Sequence, residues 1–260
     1  MSYKIAINGY GRIGRCVLRA FYESTNYADL RIVAINDLAD IGNLAHLTRY
    51  DSTHGRFLGE VEQGDGELMV SGDAIRVSQQ ADVANLRWND LEIDLVMECS
   101  GAFTDRETAQ IHLANGAKRV LFSQPADSDV DATLVYGINH ETLAHDATII
   151  SNASCTTNCI VPVLKAIDEV FGIDHGVITT IHSAMNDQPV IDSYHHQDLR
   201  KTRSAMQSII PVDTALAKGI ERILPNLNGR LQAQAIRVPT VNVSAMDLTL
   251  TLNSDATVDS

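Results

Sequence analysis

The feature that most narrows the fold lies near the N-terminus, in Tyr3-Lys4-Ile5-Ala6-Ile7-Asn8-Gly9-Tyr10-Gly11-Arg12-Ile13-Gly14-Arg15. Tyr3 to Ile7 is a short apolar run of the kind that forms a buried strand. The glycines then space as G-x-G-x-x-G, and Ile13, Val17, Leu18 and Phe21 recur at helical period. A second strand-like run, Leu30 to Ile35, ends in Asn36-Asp37, 23 residues beyond Gly14. Strand, glycine turn, helix, strand and acidic residue form the setting in which this spacing binds a dinucleotide. Gly9 allows the tight turn, Gly11 lets backbone approach a pyrophosphate, and Gly14 lets helix and strand pack closely. Asp37 can accept from a ribose 2′-hydroxyl and would repel a 2′-phosphate, so NAD is expected over NADP. The plainer alternative for Asp37 is a helix N-cap, because Ile41 to Leu47 follows it.

Residues 1–153 continue as alternating strands and helices and are expected to form one NAD-binding domain. Asp94 to Cys99 reads as a strand ending in Ser100-Gly101. Arg106 to Asn115 reads as a helix stopped by Gly116, with further short strands at Arg119 to Ser123, Thr133 to Tyr136 and Thr148 to Ile150. The expected architecture is a Rossmann-type, doubly wound parallel α/β sheet, with the strand ends at Asn8, Asn36, Ser100 and Ser123 collecting at one crevice.

From residue 154 to 260 the pattern changes. Cys155 to Phe171 reads as a helix, Val177 to His182 and Ala233 to Val238 as strands, and Asp213 to Leu224 as a second helix. Met246 to Leu252 alternates strictly, as a half-buried antiparallel strand does. These features predict an α+β catalytic domain with a mostly antiparallel sheet. Ala184 to Met206 is long, polar and irregular, a length at which loops are usually functional.

The chemistry points to Ser151-Asn152-Ala153-Ser154-Cys155-Thr156-Thr157-Asn158-Cys159 and to His182. A cysteine at a helix N-terminus meets unpaired backbone N–H groups and the positive end of the helix dipole, both of which favour thiolate. A histidine from a separate strand can complete an ion pair and then move protons. Cys155 and Cys159 span one turn and could form half of a zinc site. There is no second cysteine pair, so no metal is expected. Cys159, Cys16 and Cys99 read as packed small hydrophobes. His195 and His196 read as part of a solvated loop. Arg237, alone among apolar strand residues, calls for an anionic partner.

The formal net charge of −13 weighs against nucleic acid as a partner and requires that any anionic ligand be held by local donors. Four scattered cysteines, no signal-like segment and no apolar run near ~20 residues lead to the expectation of a cytoplasmic protein without membrane attachment.

Taken together, these motifs show a resemblance. The sequence is similar to the glyceraldehyde-3-phosphate dehydrogenase family through Asn8 to Arg15, Tyr50-Asp51-Ser52-Thr53-His54-Gly55, Ser151 to Asn158, Ile209-Ile210-Pro211 and Arg237-Val238-Pro239-Thr240. Within it, the chain looks closest to the erythrose-4-phosphate dehydrogenase branch. The indicators are His182 to Gln188, Val135 to Asn139 and Gln207 to Thr214. The resemblance implies an NAD-dependent oxidation of a phosphorylated aldehyde through a thioester on Cys155, assisted by His182. It implies cofactor contacts at Arg12, Ile13 and Ser123, and anion pockets lined by Ser154, Thr156, Lys201, Thr214, Ala215 and Arg237. It also implies a homotetramer whose long loop lies at a subunit interface.

The departures are informative. Met185 stands where the glycolytic enzyme has threonine, and Lys201 where close relatives carry arginine, which replaces a bidentate fork by a point charge. Thr214-Ala215 replaces a Thr-Gly pair beside Asp213. If Asp213 faces the inorganic-phosphate pocket, it would repel that anion and favour water as the deacylating nucleophile, giving 4-phosphoerythronate. By resemblance the family continues beyond Ser260. A chain ending there is expected to bind NAD weakly, or to be a catalytically impaired NAD-binding fragment.

Overall fold

The computed structural model describes residues 2–196 and 198–258. Its contacts divide the chain into two compact units, Met1–Leu134 with His140–Ala153, and Val135–Asn139 with Ser154–Ser260. The short segment 135–139 therefore groups with the second unit.

In the first unit, the apolar run at the N-terminus is strand β1 (Tyr3–Asn8), and the glycine turn leads into helix α1 (Arg12–Glu23) and strand β2 (Leu30–Asn36). Helix α2 (Ile41–Arg49) follows, capped by Asp40, whose side chain accepts from the Asn43 N–H. After a small hairpin of β3 (Tyr50–Asp51) and β4 (Gly55–Arg56) come β5 (Val61–Gln63), β6 (Glu67–Val70) and β7 (Asp73–Ser78). The chain continues through β8 (Leu95–Glu98), α3 (Arg106–Ala114), β9 (Val120–Phe122), β10 (Ala132–Thr133) and β11 (Ile149–Ser151).

Nine of these strands form one sheet in the order β10-β11-β9-β8-β1-β2-β7-β6-β5. It is parallel from β10 to β7, as expected for a doubly wound fold. The antiparallel edge β5-β6-β7 was not expected from the sequence. Its strands are short and their polar outer residues blur the period. Ile5 and Ile7 of β1 pack into one core and Ala6 into another, so both sheet faces are covered. The strand expected to reach Tyr136 ends at Thr133, and Tyr136 is exposed. Ile13, expected on the buried stripe of α1, is 47% exposed, whereas Leu18 is buried. Cys16 is only half-buried, and Cys99 is buried as expected.

The second unit contains α4 (Cys155–Phe171), β12 (Ile173–His182), β13 (Ile210–Val212), α5 (Leu216–Ile223), β14 (Leu231–Arg237) and β15 (Ala245–Leu252). Its four strands run β13-β14-β12-β15, with β12 parallel to β14 and the other two pairings antiparallel. Ile160, Val161 and Leu164 of α4 and Leu216, Ile220 and Ile223 of α5 bury the helical faces. Gly219 keeps the helices close, since a Cβ there would lie 2.8 Å from the Thr157 Oγ1. Helix α5 is shorter than the expected Asp213 to Leu224, because Thr214 turns its Oγ1 to accept the Leu216 N–H at 3.2 Å and starts the helix there. Strand β15 alternates as expected, its even-numbered residues half-buried and its odd-numbered ones exposed. No helix among the described residues is long and apolar enough to cross a membrane.

Candidate active site and cofactor cleft

In the first unit, a cleft of about 330 Å³ opens at the C-terminal ends of the parallel strands, where ligands of such sheets collect. Its walls include Asn8, Gly9, Gly11, Asn36, Asp37 and Ser100, with Leu38, Val83, Ala102 and Phe103 supplying an apolar side. The three glycines differ in their surroundings. Gly9 has φ +88°, and a Cβ there would fall 2.3 Å from the Ser100 backbone. A Cβ on Gly14 would lie 2.4 Å from the Gly9 carbonyl oxygen. At Gly11 nothing lies within 4 Å, so the turn presents bare backbone to open space. That is the cradle a pyrophosphate requires at a helix N-terminus.

Asp37 lines the cleft and is not the cap of α2, a role that Asp40 fills. Its Oδ2 accepts from the Tyr10 N–H at 2.7 Å and its Oδ1 from the Ala39 N–H at 2.9 Å, which tie the carboxylate to the glycine turn. Arg12 is exposed, with its Nη2 3.3 Å from the Thr53 Oγ1. Neither Arg12 nor Ile13 borders the cleft, and Ser123 also stands apart from it: its N–H bonds the Glu98 carbonyl.

In the second unit, Ser154 caps α4, its Oγ accepting from the Thr157 N–H at 2.9 Å and lying 3.0 Å from the Thr156 Oγ1. Cys155 is therefore the first helical residue, and its thiol is exposed. Strand β12 ends at His182, whose Nε2 stands 3.8 Å from the Cys155 Sγ. The His182 Nδ1 donates to the Ser183 carbonyl at 2.7 Å, since a carbonyl can only accept. That bond orients the ring and leaves Nε2 toward the sulfur. The hydrogen bond with His182 holds the Cys155 thiol below its ordinary pKa, against partial burial, which raises it; the N–H groups of Thr156 and Cys155 also lower it. The same bond holds His182 above its ordinary value, against burial. Shifts of opposite sign on two touching groups favour the thiolate–imidazolium form of the pair over the neutral one.

The parallel register pairs His182 with Arg237 of β14. Arg237 has an 8%-exposed side chain, and its Nη1 lies 2.6 Å from the Asp187 Oδ1. The Lys201 Nζ is 3.1 Å from the Asp187 Oδ2. Burial pushes the Asp187 carboxyl up, but the bonds from Arg237 and Lys201 outweigh it and hold it below the ordinary value. The anionic partner that Arg237 requires is thus Asp187, and any ligand anion must share the two cations with that carboxylate. Ala215 occupies the N-cap position of α5 beside Thr214.

Some expectations need correction. Asp213 does not join this cluster: its side chain is 93% exposed and pairs with Arg200 at 3.0 Å. Cys159 is exposed, because one turn beyond Cys155 it lies on the same open face of α4. His195 belongs to the polar cluster, with its Nδ1 accepting the Asp198 N–H and its Nε2 4.0 Å from Asp187. Among the described residues, no group of three His, Cys, Asp or Glu could hold a metal ion.

Both units match known protein families. Residues 3–106 match the glyceraldehyde 3-phosphate dehydrogenase NAD binding domain, and residues 154–260 match the glyceraldehyde 3-phosphate dehydrogenase C-terminal domain. The chain belongs to the glyceraldehyde 3-phosphate dehydrogenase family. Its cofactor is NAD, and membership makes it an NAD-dependent dehydrogenase of the phosphosugar aldehyde class. The sequence did not single out Glu98, Asp187 or the apolar wall of the cleft as functional. A carboxylate inside the apolar run Asp94 to Cys99 was the one available sign for Glu98.

Proposed function

We propose that this glyceraldehyde 3-phosphate dehydrogenase family member oxidises D-erythrose 4-phosphate to 4-phosphoerythronate through a thioester on Cys155, with water as the final nucleophile. The observation that carries the covalent chemistry is the 3.8 Å contact between the Cys155 Sγ and the His182 Nε2 at the N-terminus of α4. The Cys155 thiolate adds to the aldehyde carbon, forming a C–S bond and an oxyanion. The exposed helix N-terminus offers backbone N–H groups to that oxygen. His182 first serves as the proton donor to the oxyanion and then removes the hydroxyl proton as the carbon–hydrogen pair of electrons departs. NAD supplies the acceptor for that hydride. His182 then releases the hydroxyl proton to solvent, and its neutral imidazole deprotonates a water that attacks the thioester carbon; the C–S bond breaks, leaving the carboxylate and the thiolate. One aldehyde, one NAD⁺ and one water give one carboxylate, one NADH and two protons.

Lys201, Arg237, Ser154, Thr156, Thr214 and Ala215 are the groups we assign to substrate anions. In the cofactor site we assign Gly9, Gly11 and Asp37 from the cleft they line, Gly14 from its packing against Gly9, and Arg12, Ile13 and Ser123, which stand outside that cleft, from the family resemblance alone. The four-carbon substrate is supported by the resemblance over His182 to Gln188, Val135 to Asn139 and Gln207 to Thr214, and by Met185, which offers no donor to a phosphate. Asp187 cancels one of the two positive charges of Lys201 and Arg237, which leaves one for the substrate phosphate and supports water over inorganic phosphate as the second partner. The product would feed pyridoxal phosphate synthesis.

One observation favours a second reading, the phosphorylating oxidation of glyceraldehyde 3-phosphate. Asp213 is exposed and paired with Arg200, so its charge does not guard the cation pair. Initial rates on the two aldehydes, with and without inorganic phosphate, separate the readings. Faster turnover of erythrose 4-phosphate without phosphate supports the first; a strict requirement for phosphate overturns it.

We place the chain in the cytoplasm as a homotetramer, with no nucleic acid or membrane partner. Val190, Ile191, Tyr194, Leu199, Met206 and Ile209 are all exposed within one stretch of chain, which supports a subunit interface along it, because isolated monomers rarely expose large apolar patches. Light scattering at micromolar concentration tests the tetramer.

A further inference from the structure

The cofactor unit contains a polar chain that the reaction itself does not use. Glu98 ends β8 and is 0% exposed, yet all its hydrogen-bond partners are donors. Its Oε2 accepts from the Asn8 Nδ2 at 2.5 Å and from the His112 Nε2 at 3.2 Å. Its Oε1 accepts from the Ser100 N–H at 2.8 Å and from the Ser100 Oγ at 2.5 Å. Proton positions on His112 follow from its other neighbour. The Trp88 Nε1–H, which can only donate, points at the His112 Nδ1 at 3.0 Å, so the ring proton is on Nε2 and faces Glu98. Burial pushes the Glu98 carboxyl up, but the bonds from His112, Ser100 and Asn8 outweigh it and hold it below the ordinary value.

The chain extends across the sheet. The Asn8 Oδ1 accepts from the Asn36 Nδ2 at 2.7 Å, and the Asn36 Oδ1 accepts from the Ser78 Oγ and the Gln80 N–H, each at 2.9 Å. Donor direction is therefore fixed from β7 through β2 and β1 to one terminal acceptor. Two of the groups Glu98 anchors, Asn8 and Ser100, line the cleft on either side of the glycine turn. Ser100 is also the backbone against which Gly9 is pressed.

We infer that Glu98 is a positioning residue for NAD, with His112 holding it in place: it clamps Asn8 and Ser100 so that the glycine turn is presented in its binding shape. A carboxylate suits this position because it offers acceptors alone. Glutamine would turn an N–H₂ group toward a donor in either orientation, and at least one of the four bonds would be lost. The inference rests on NAD occupying this cleft, and not on which aldehyde is oxidised.

The test is calorimetric titration of NAD into the folded protein and its variants, with the kcat and KM for NAD measured alongside. Glu98→Gln is expected to raise the Kd and KM for NAD tenfold or more, while kcat at saturating NAD stays within about threefold. His112→Leu, which touches no wall of the cleft, is expected to raise the Kd at least threefold. His112→Gln, whose amide can still donate to Glu98, is expected to stay within twofold of the parent. Should Glu98→Gln fail to fold, the leucine and glutamine pair at 112 decides. Parental Kd values in Glu98→Gln and His112→Leu, or equal weakening by leucine and glutamine at 112, overturn the inference. Gly11→Val is titrated in parallel. If it too binds NAD like the parent, the cleft assignment has failed; if it alone weakens, only the role of Glu98 has.

Discussion

The cofactor unit holds its cleft-side polar groups in a buried chain, whereas the second unit leaves Cys155 and His182 at an open sheet end and pairs its buried arginine by charge. In the first, Asn8, Asn36 and Glu98 are each at most 5% exposed and hold one another by directional hydrogen bonds. In the second, Cys155 is exposed, His182 is half-buried, and Arg237 and Lys201 share one carboxylate. The contrast follows from the sheets. Parallel strands covered on both faces, such as β1 and β8, must satisfy every polar side chain internally. The sheet of the second unit has an exposed side, as β15 shows, so Asp187 and Lys201 remain partly solvated while Arg237 is covered. Binding a large, constant cofactor benefits from rigidity. Covalent chemistry on a passing substrate requires access and a mobile proton.

Mutation shows whether cofactor binding and chemistry separate between the two units. The largest effect belongs to Cys155→Ala, which should abolish turnover, by roughly 10⁴-fold or more, and leave the Kd for NAD unchanged. Stopped-flow NADH formation and calorimetry on the same sample check both halves; a matching loss of NAD affinity would show that the two functions do not separate by unit. His182→Asn should lower kcat by about 10²–10⁴.

The same substitution should also change the pH profile of Cys155 alkylation. In the parent the thiol is held low by His182, so alkylation should persist below the ordinary thiol pKa of about 8.5 and fade only as pH drops through the lowered value. Without the imidazole the fading should move up toward that ordinary value. An unmoved profile would remove His182 as the cause.

Glycine substitutions give the next effect and test the rigid side of the comparison. Gly9→Ala should cost about 3 kcal/mol of stability, combining left-handed backbone with the clash against Ser100. Gly11→Ala, facing open space, should leave the melting temperature nearly unchanged while weakening NAD binding. Thermal melts with and without NAD distinguish the two. Arg237→Lys should raise the KM of the phosphorylated aldehyde about tenfold by losing the guanidinium fork, with NAD affinity intact. Smallest of all, Asp213→Asn should alter the phosphate dependence of the rate by less than about twofold, because an exposed ion pair contributes little. A large change would return Asp213 to the anion pocket.

Much of the cofactor unit was legible in the sequence because its rules are local. The glycine spacing, the apolar strand before it and Asp37 lie within one stretch of chain, and backbone sterics dictate what each must do. The position of Cys155 at the start of a helix was legible for the same reason, whereas the cap at Ser154 was not singled out. The anion cluster was not. Whether Asp187 or Asp213 meets Arg237 depends on how 184–206 folds back, and no period or cap encodes that path. Cys159 was misjudged because helical spacing tells which residues share a face but not whether that face is covered.

The order of residues along the chain was enough to read the dinucleotide turn, the cysteine at a helix start and the family to which both belong, since each rests on short-range geometry. Only the tertiary structure decided which carboxylate neutralises Arg237, that Asp213 stands in solvent, and that Glu98 ends a hydrogen-bonded chain across four strands. Those outcomes depend on burial and on donors converging from distant segments, and the energy of a buried charge is set by what surrounds it in space.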